Sequence, residues 1–137
     1  MALTHLVDTS VLTRMAQSEV RAVVEPMVGA GALGRALITD LEIGFSARSA
    51  DEWDALVGAL DVFPGVEVSE QHLRRAAQVQ RMLAAASQRG RKIPDLLVAA
   101  VAEEAGLAVL HYDAGFDRIA AVTGQAATWV VPAGTVP

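Results

Sequence analysis

A helix followed by a short strand is encoded by Ile93-Pro94-Asp95-Leu96-Leu97-Val98-Ala99-Ala100 and, a little further on, by Ala108-Val109-Leu110-His111-Tyr112-Asp113. Proline has a fixed φ and no backbone donor, so Pro94 suits the first position of a helix. The residues after Asp95 are apolar on every side, as in a helix that is buried all round. The two stretches therefore predict a buried helix–strand unit with an acid at each end, Asp95 and Asp113.

Short apolar strands alternate with helices along the rest of the chain. Strands are predicted at residues 3–7, 36–38, 66–68, 108–110 and 128–131. Helices are predicted at about 9–16, 18–28, 39–48, 51–62, 70–88, 94–105 and 116–122. This alternation predicts one α/β domain over residues 1–137, with a parallel sheet covered by helices on both faces.

The loop Gly29-Ala30-Gly31-Ala32-Leu33-Gly34 has the glycine spacing of a dinucleotide-binding turn. That turn must follow a strand and open a helix, because the helix N-terminus holds the phosphates. Here the predicted order is reversed, with a helix before the loop and a strand after it. We therefore interpret the glycines as the end of a helix.

The composition excludes several classes of protein. The chain of 137 residues has no cysteine, so neither a disulfide framework nor a thiolate metal site is possible. Its N-terminus lacks the basic and apolar segments of a signal peptide, and its longest apolar run is far below the ~20 residues that span a bilayer. We therefore expect a soluble, cytoplasmic protein.

The net charge and the fraction of charged residues limit the kinds of molecule that this chain is expected to bind. The net charge is −5, which argues against a protein that coats nucleic acid through a basic face. It does not exclude an enzyme that meets nucleic acid through a bound cation. Only 20% of residues are charged and 53% are hydrophobic, so we expect apolar surface that is covered by a partner chain or by a second copy.

Four acids are predicted to meet at one edge of the sheet. Asp8 and Asp113 directly follow predicted strands, Glu42 follows one within a turn of helix, and Asp95 lies at a helix N-terminus. At ~4 Å and an effective dielectric near 20, each like-charge pair costs ~4 kcal/mol. Such a cluster takes up protons or binds a cation. All-oxygen ligands favour Mg²⁺ or Mn²⁺, and the expected chemistry is phosphodiester hydrolysis by metal-activated water.

Each acid also has an ordinary structural interpretation. Thr39 and Glu42 fit the capping-box pattern, and Asp95 fits the first turn of a helix, where the dipole favours an acid. Asp8 is suited to cap the helix after it, and Asp113 to open a turn. Taken alone, Glu42 and Asp95 are better explained as residues that stabilise the start of a helix. The position of three acids at the ends of predicted strands favours a shared metal site.

Two further features have ordinary explanations. His111 has no histidine or cysteine at ligand spacing, so we interpret it as a strand residue. The basic cluster Arg89-Gly90-Arg91-Lys92 is typical of a solvated turn, although its closeness to Asp95 would let it meet a phosphate chain.

The order of these motifs resembles the PIN domain, and most closely the VapC-type toxins of bacterial toxin–antitoxin pairs. The resemblance covers nearly the whole chain, and its last two blocks are the most specific. The matching blocks are Val7-Asp8-Thr9-Ser10-Val11-Leu12, Leu41-Glu42-Ile43 with Ala47-Arg48, Ile93-Pro94-Asp95-Leu96-Leu97-Val98-Ala99-Ala100, and Leu110-His111-Tyr112-Asp113 with Phe116-Asp117-Arg118-Ile119-Ala120.

The resemblance implies a Mg²⁺- or Mn²⁺-dependent endoribonuclease that is dimeric and neutralised by a cognate VapB-type antitoxin. By the same resemblance the metal-binding acids are Asp8, Glu42, Asp95 and Asp113. Thr9 or Ser10 corresponds to the hydroxyl position beside the first acid.

One position departs from the family pattern. Family members commonly have a second acid two residues after the first one in the last block, where this chain has Gly115. Asp113 and Asp117 are then alternatives for the fourth ligand. We favour Asp113, because it directly follows its strand, and treat Asp117 as secondary.

Two other functions that use acids at strand ends fit the sequence less well. A receiver-like phosphoacceptor needs a lysine at the strand ends, and the only lysine, Lys92, is predicted in a turn. A phosphatase of the haloacid dehalogenase type needs Asp-x-Asp after its first strand, and Ser10 stands at the second position. A non-catalytic PIN-like module that binds RNA or protein is the remaining alternative.

Overall fold

The computed structural model of the chain describes residues 2–88 and 91–137. Its centre is a five-stranded sheet in the order β3-β2-β1-β4-β5, and every neighbouring pair is parallel. The strands are β1 (His5–Val7), β2 (Leu33–Ala36), β3 (Gly65–Val66), β4 (Ala108–His111) and β5 (Ala127–Trp129). The predicted α/β class with a parallel sheet is confirmed.

The described part of the chain contains seven α-helices between and beside the strands. They are α1 (Thr9–Leu12), α2 (Ser18–Gly29), α3 (Ile38–Gly44), α4 (Ala50–Gly58), α5 (Glu70–Ala85), α6 (Ile93–Ala105) and α7 (Gly115–Thr123), and a 3₁₀ turn at Ala59–Val62 follows α4. No helix within residues 2–88 and 91–137 combines the length and the apolar character needed to cross a bilayer.

Two apolar clusters lie on opposite faces of the sheet. Leu6 and Val109 belong to one cluster with α5, α6 and α7, whereas the next residues, Val7 and Leu110, belong to the other. Successive side chains of a strand point to opposite faces, so this alternation shows that β1 and β4 are covered on both sides. These two strands are neighbours in the sheet, and each has only one residue that is not fully buried.

The predicted buried helix–strand unit is confirmed. Pro94 lies in the first turn of α6, and every residue from Asp95 to Ala102 is buried. Gly106, with φ of 71°, ends the helix, and the Leu107 N–H donates to the Ala102 carbonyl. A left-handed residue of this kind is the usual way in which a helix is closed before a strand.

The second strand lies earlier than predicted. It spans Leu33–Ala36 rather than residues 36–38, and Gly34 is a strand residue instead of part of the helix-ending loop. A Cβ at Gly34 would lie 2.8 Å from a methyl of Leu3 and 3.0 Å from the Pro64 carbonyl oxygen. Glycine is therefore placed here by the close approach of neighbouring chains, which the sequence alone does not show.

Several helices and strands are shorter than predicted. The first helix ends at Leu12 because the N–H groups of Arg14 and Gln17 bond three residues back, in turns rather than in a helix. The fourth ends at Gly58 and continues as a 3₁₀ turn. The remaining corrections are α3, which ends at Gly44 rather than 48, α5, which ends at Ala85 rather than 88, and β5, which ends at Trp129 rather than 131. The predicted Arg89–Lys92 turn lies partly outside the described residues.

Candidate active site

The four predicted acids line one pocket of about 500 Å³. It lies at the carboxyl end of β1, the central strand, and of its neighbour β4, where open α/β sheets place their ligands. The remaining lining residues come from α1 and the turn after it, from the start of α6 and from the segment after β4: Thr9, Ser10, Thr13, Arg14, Lys92, Tyr112 and Ala114.

Asp8 both caps a helix and contributes to the pocket. It follows β1 directly, its N–H donates to the Leu110 carbonyl, and its Oδ2 accepts from the Ser10 N–H at 2.9 Å. The other oxygen, Oδ1, is buried and has no hydrogen-bond partner among the described residues. A buried carboxylate oxygen without a partner is costly, and a bound cation would satisfy it.

Glu42 points into the pocket instead of capping its helix. The N-cap of α3 is Leu37, and the Thr39 side chain is fully buried inside the helix, so the capping-box interpretation is wrong. Thr9 Oγ1 donates to Glu42 Oε1 at 2.9 Å, which fixes the carboxylate next to α1. Burial raises the pKa of Glu42; the Thr9 hydrogen bond opposes this rise and the negative charge of Asp8 adds to it.

Asp95 is the most perturbed acid of the pocket. It lies in the first turn of α6 and is only 5% exposed. Burial raises its pKa to about 7, and the charges of Asp8, Asp113 and Glu42 contribute to the rise. A carboxyl group whose pKa is raised close to 7 by burial and by neighbouring acids is characteristic of a functional pocket.

Asp113 is half-buried on the other side of the pocket. Its Oδ1 accepts from the Gly115 N–H at 2.8 Å, and its Oδ2 lies 3.9 Å from Lys92 Nζ. Asp117 lies elsewhere, on the exposed side of α7, where both of its oxygens accept from the Trp129 indole N–H at 3.1 and 3.2 Å. Asp117 does not line the pocket.

His111 is the last residue of β4 and is completely buried. Its ring packs between Phe116 and Trp129, with both ring centroids at 5.0 Å. Nδ1 accepts from the Asp113 N–H at 3.2 Å, so the imidazole holds the backbone of the acid that follows it. The expectation that His111 is a strand residue is confirmed.

Three contacts of the pocket wall were not foreseen from the sequence. Ser10 Oγ accepts from the Tyr112 N–H at 2.9 Å and thereby joins α1 to the end of β4. The Arg14 guanidinium lies 4.6 Å from the centre of the Tyr112 ring and donates to the Ser10 carbonyl at 2.7 Å. The only sequence signal for Arg14 was its spacing of four residues from Ser10, which places both on one side of a helical turn.

The donor chemistry of the pocket fits a hard divalent cation, but the side chains do not form a ready-made coordination sphere. Within residues 2–88 and 91–137, no three acid or histidine side chains stand close enough together to hold an ion. One oxygen of Asp8 and one of Asp113 are already occupied by backbone N–H groups. The unpaired Asp8 Oδ1 and an all-oxygen set are the features that match Mg²⁺ or Mn²⁺.

Comparisons with known proteins agree with this architecture. The model of the PIN domain family matches residues 5–122. The chain is 60% identical to Ribonuclease VapC51 of Mycobacterium tuberculosis over 136 residues, which are 99% of each chain. It is 42% identical to Ribonuclease VapC18 of the same organism, over 95% of this chain and 97% of that protein.

Solved structures share this fold. The DNA-bound VapBC of Salmonella typhimurium aligns with a TM-score of 0.76 at 17% identity, over 94% of this chain and 99% of that one. VapBC-5 of Mycobacterium tuberculosis, a member of the VapBC family of toxin–antitoxin systems, aligns with a TM-score of 0.61 at 27% identity, over 93% and 95%. The chain belongs to the PIN-domain family and, within it, to the VapC ribonucleases.

Proposed function

We propose that this chain is the toxin of a type II toxin–antitoxin pair, a metal-dependent endoribonuclease that uses Mg²⁺ or Mn²⁺ to hydrolyse RNA phosphodiester bonds. The observation that supports it most is the pocket lined by Asp8, Glu42, Asp95 and Asp113, in which Asp8 Oδ1 is buried without a partner. The identity of 60% to a VapC ribonuclease over the whole chain supports the RNA substrate. Such an enzyme would act in the cytoplasm, where its RNA substrates are.

Each acid has a role in this proposal. Asp8, Glu42 and Asp95 hold the cation, directly or through water, and Asp113 contributes as the fourth acid through a bound water. When bound, the cation supplies a water of lowered pKa and neutralises charge on the phosphate. Asp117 is secondary, because it is engaged by Trp129 outside the pocket.

The hydroxyl groups beside the first acid position these carboxylates. Thr9 donates to Glu42, so it orients the acid that α3 contributes. Ser10 donates its N–H to Asp8 and accepts the Tyr112 N–H, so it couples the ends of β1 and β4. The two residues thereby hold acids from distant parts of the chain at one place.

The purified chain should cleave single-stranded RNA in Mg²⁺ or Mn²⁺, and the activity should disappear in excess EDTA. Re-addition of Mn²⁺ should restore it, because removal of the cation leaves the folded pocket in place. Gel analysis of a labelled RNA pool measures the products.

Cleavage that persists after complete chelation would contradict the metal dependence. RNA binding without cleavage in any divalent cation would instead favour a non-catalytic PIN-like module. Sequencing the RNA ends that accumulate on induction of the toxin would identify the substrate.

A cognate VapB-type antitoxin is the expected protein partner. Several proteins of similar fold were solved as VapBC complexes, among them VapBC-5, which is 27% identical to this chain. The low charged fraction of the sequence is consistent with apolar surface that a partner covers.

The chain is also expected to form a homodimer through the exposed apolar surface of α3 and α4. Leu41 of α3 and Phe45, which directly follows the helix, are 65% and 91% exposed, and Trp53 of α4 packs against Gly44 between them. An apolar interface here would avoid apposing two acidic pockets, which would repel each other. Phe45→Glu should therefore give a monomer at micromolar concentration, measured by light scattering.

Leu73→Glu provides the matched control, because Leu73 is an exposed apolar residue on a different helix, α5. It should leave the dimer intact. A wild-type chain that is monomeric without its antitoxin would refute the homodimer, and a monomer produced only by Leu73→Glu would move the interface to α5.

A further inference from the structure

Arg91 is a half-buried guanidinium that lacks a protein anion. The buried arginine Arg35 pairs with Asp40 at 2.7 Å, and the half-buried Arg75 pairs with Glu103 at 2.6 Å. For Arg91 the structure shows no ion pair with any described residue, and its Nε is fully buried without a hydrogen-bond partner there. Its Nη1 and Nη2 atoms also have no partner among the described residues, but they are not fully buried, so an anion outside this part of the chain can reach them.

Gly115 makes room for this guanidinium. A Cβ at position 115 would lie 2.9 Å from Arg91 Nη1 and 3.1 Å from Asp113 Oδ1. The backbone of Gly115 does not have positive φ, unlike that of Gly106 or Gly124, so its conformation does not require glycine. The absence of a side chain at this position therefore serves the close approach of Arg91 to the segment that carries Asp113.

The guanidinium lies beside the acidic pocket without neutralising it. Asp113 already receives the Gly115 N–H on Oδ1, and its Oδ2 faces Lys92. Lys92 lines the pocket, and Arg91, which precedes it, lies just outside the lining, where its Nη1 shares the space at Gly115 with Asp113 Oδ1. Because the chain has a net charge of −5, it repels a polyanion such as RNA. Positively charged side chains near the site reduce this repulsion locally.

From this geometry we infer that Arg91 is a phosphate-binding residue that positions the RNA backbone at the active site. The inference rests on the proposed ribonuclease function and assigns a residue to substrate binding. A guanidinium presents donors in a planar fork that matches two phosphate oxygens, and Gly115 lets Nη1 approach the segment that carries Asp113. Arg91 is a positioning residue here, distinct from the acids that hold the cation.

Arg91→Gln should raise the KM for RNA cleavage about tenfold, the usual effect of losing one charge-assisted hydrogen bond, with kcat nearly unchanged. Fluorescence anisotropy with a short labelled single-stranded RNA in EDTA measures binding without cleavage. The salt dependence of that binding should become shallower by about one. Arg91→Lys should recover part of the affinity, because it keeps the charge and loses the fork.

Gly115→Ala tests the packing independently. Its Cβ would displace the end of the flexible Arg91 side chain, so it should weaken RNA binding to a similar extent, and the double variant should be no weaker than Arg91→Gln alone. Additive losses would show that Gly115 acts through Asp113 and would overturn this part of the inference. Arg118→Gln is the control, since Arg118 is an exposed arginine on α7 outside the pocket.

The outcomes separate the inference from the function on which it rests. If the wild-type chain cleaves RNA and Arg91→Gln has unchanged KM and RNA affinity, the inference is wrong and the function stands. If Arg91→Gln lowers the melting temperature and kcat but not RNA affinity, Arg91 is structural. If only binding of the antitoxin is weakened, the anion is a protein carboxylate and the inference is again overturned.

Discussion

Asp8→Asn should lower the rate of RNA cleavage by more than about 100-fold, beyond the 10–100-fold typical of losing an outer-shell partner of a metal site. The amide removes the negative charge at the buried Oδ1 position, where we place the cation. Asparagine is as good an N-cap as aspartate, so the bond from the Ser10 N–H and the start of α1 should survive. Initial rates at saturating Mn²⁺ measure the loss, and circular dichroism checks the fold.

The remaining acids extend this experiment. Glu42→Gln and Asp95→Asn should also abolish cleavage. If one of these variants keeps wild-type turnover, the substituted residue is not part of the catalytic site. Asp117→Asn is the matched control, because Asp117 bonds Trp129 outside the pocket. Mn²⁺ titrations should show weaker binding for Asp113→Asn than for Asp117→Asn. The opposite order of metal affinities would make Asp117 the fourth ligand.

Asp95→Asn should stabilise the metal-free protein, although we expect the same substitution to abolish RNA cleavage. Burial and the neighbouring acids raise the pKa of Asp95 from 3.8 to about 7. The folded protein then keeps a proton that the unfolded chain has released, so the free energy of unfolding falls as pH rises through this window. At pH 8 the gain from the substitution should reach a few kcal/mol, because each pKa unit corresponds to about 1.4 kcal/mol.

Urea unfolding in EDTA at several pH values measures this effect. The variant and the wild type should be similar below pH 3.8, where the carboxyl is protonated in both states, and should diverge up to about pH 7. Saturating Mn²⁺ should reverse the order, because the ion stabilises the folded state of the protein that binds it more tightly. A variant that is less stable than wild type at pH 8 in EDTA would refute the repulsive environment of Asp95.

The parts of the fold that depend on local chemistry were predictable. Pro94 marks the start of α6 and Gly106 its end, since one fixes φ and the other adopts a left-handed backbone. The acids that follow β1 and β4 were predictable for a related reason, because parallel strands end at one edge of a sheet. These inferences need only the sequence near each residue.

The features that failed depend on contacts between distant segments. Gly34 was assigned to a loop because nothing nearby in sequence shows that Leu3 and Pro64 crowd it. The pattern Thr39-x-x-Glu42 fitted a capping box, but the N-cap of α3 is Leu37, two residues earlier, so Thr39 is buried and Glu42 meets Thr9 instead. A local motif predicted the wrong partner wherever the tertiary structure offered another one.

The strand order has a consequence for synthesis of the toxin. The acids come from both halves of the chain, and β1 is flanked by β2 on one side and by β4, which begins only at residue 108, on the other. While the protein emerges from the ribosome, one edge of β1 therefore stays unpaired, and the pocket around Asp8 lacks Asp95 and Asp113. A nascent chain should stay harmless until most of it has been translated, and prematurely truncated products should be aggregation-prone rather than toxic.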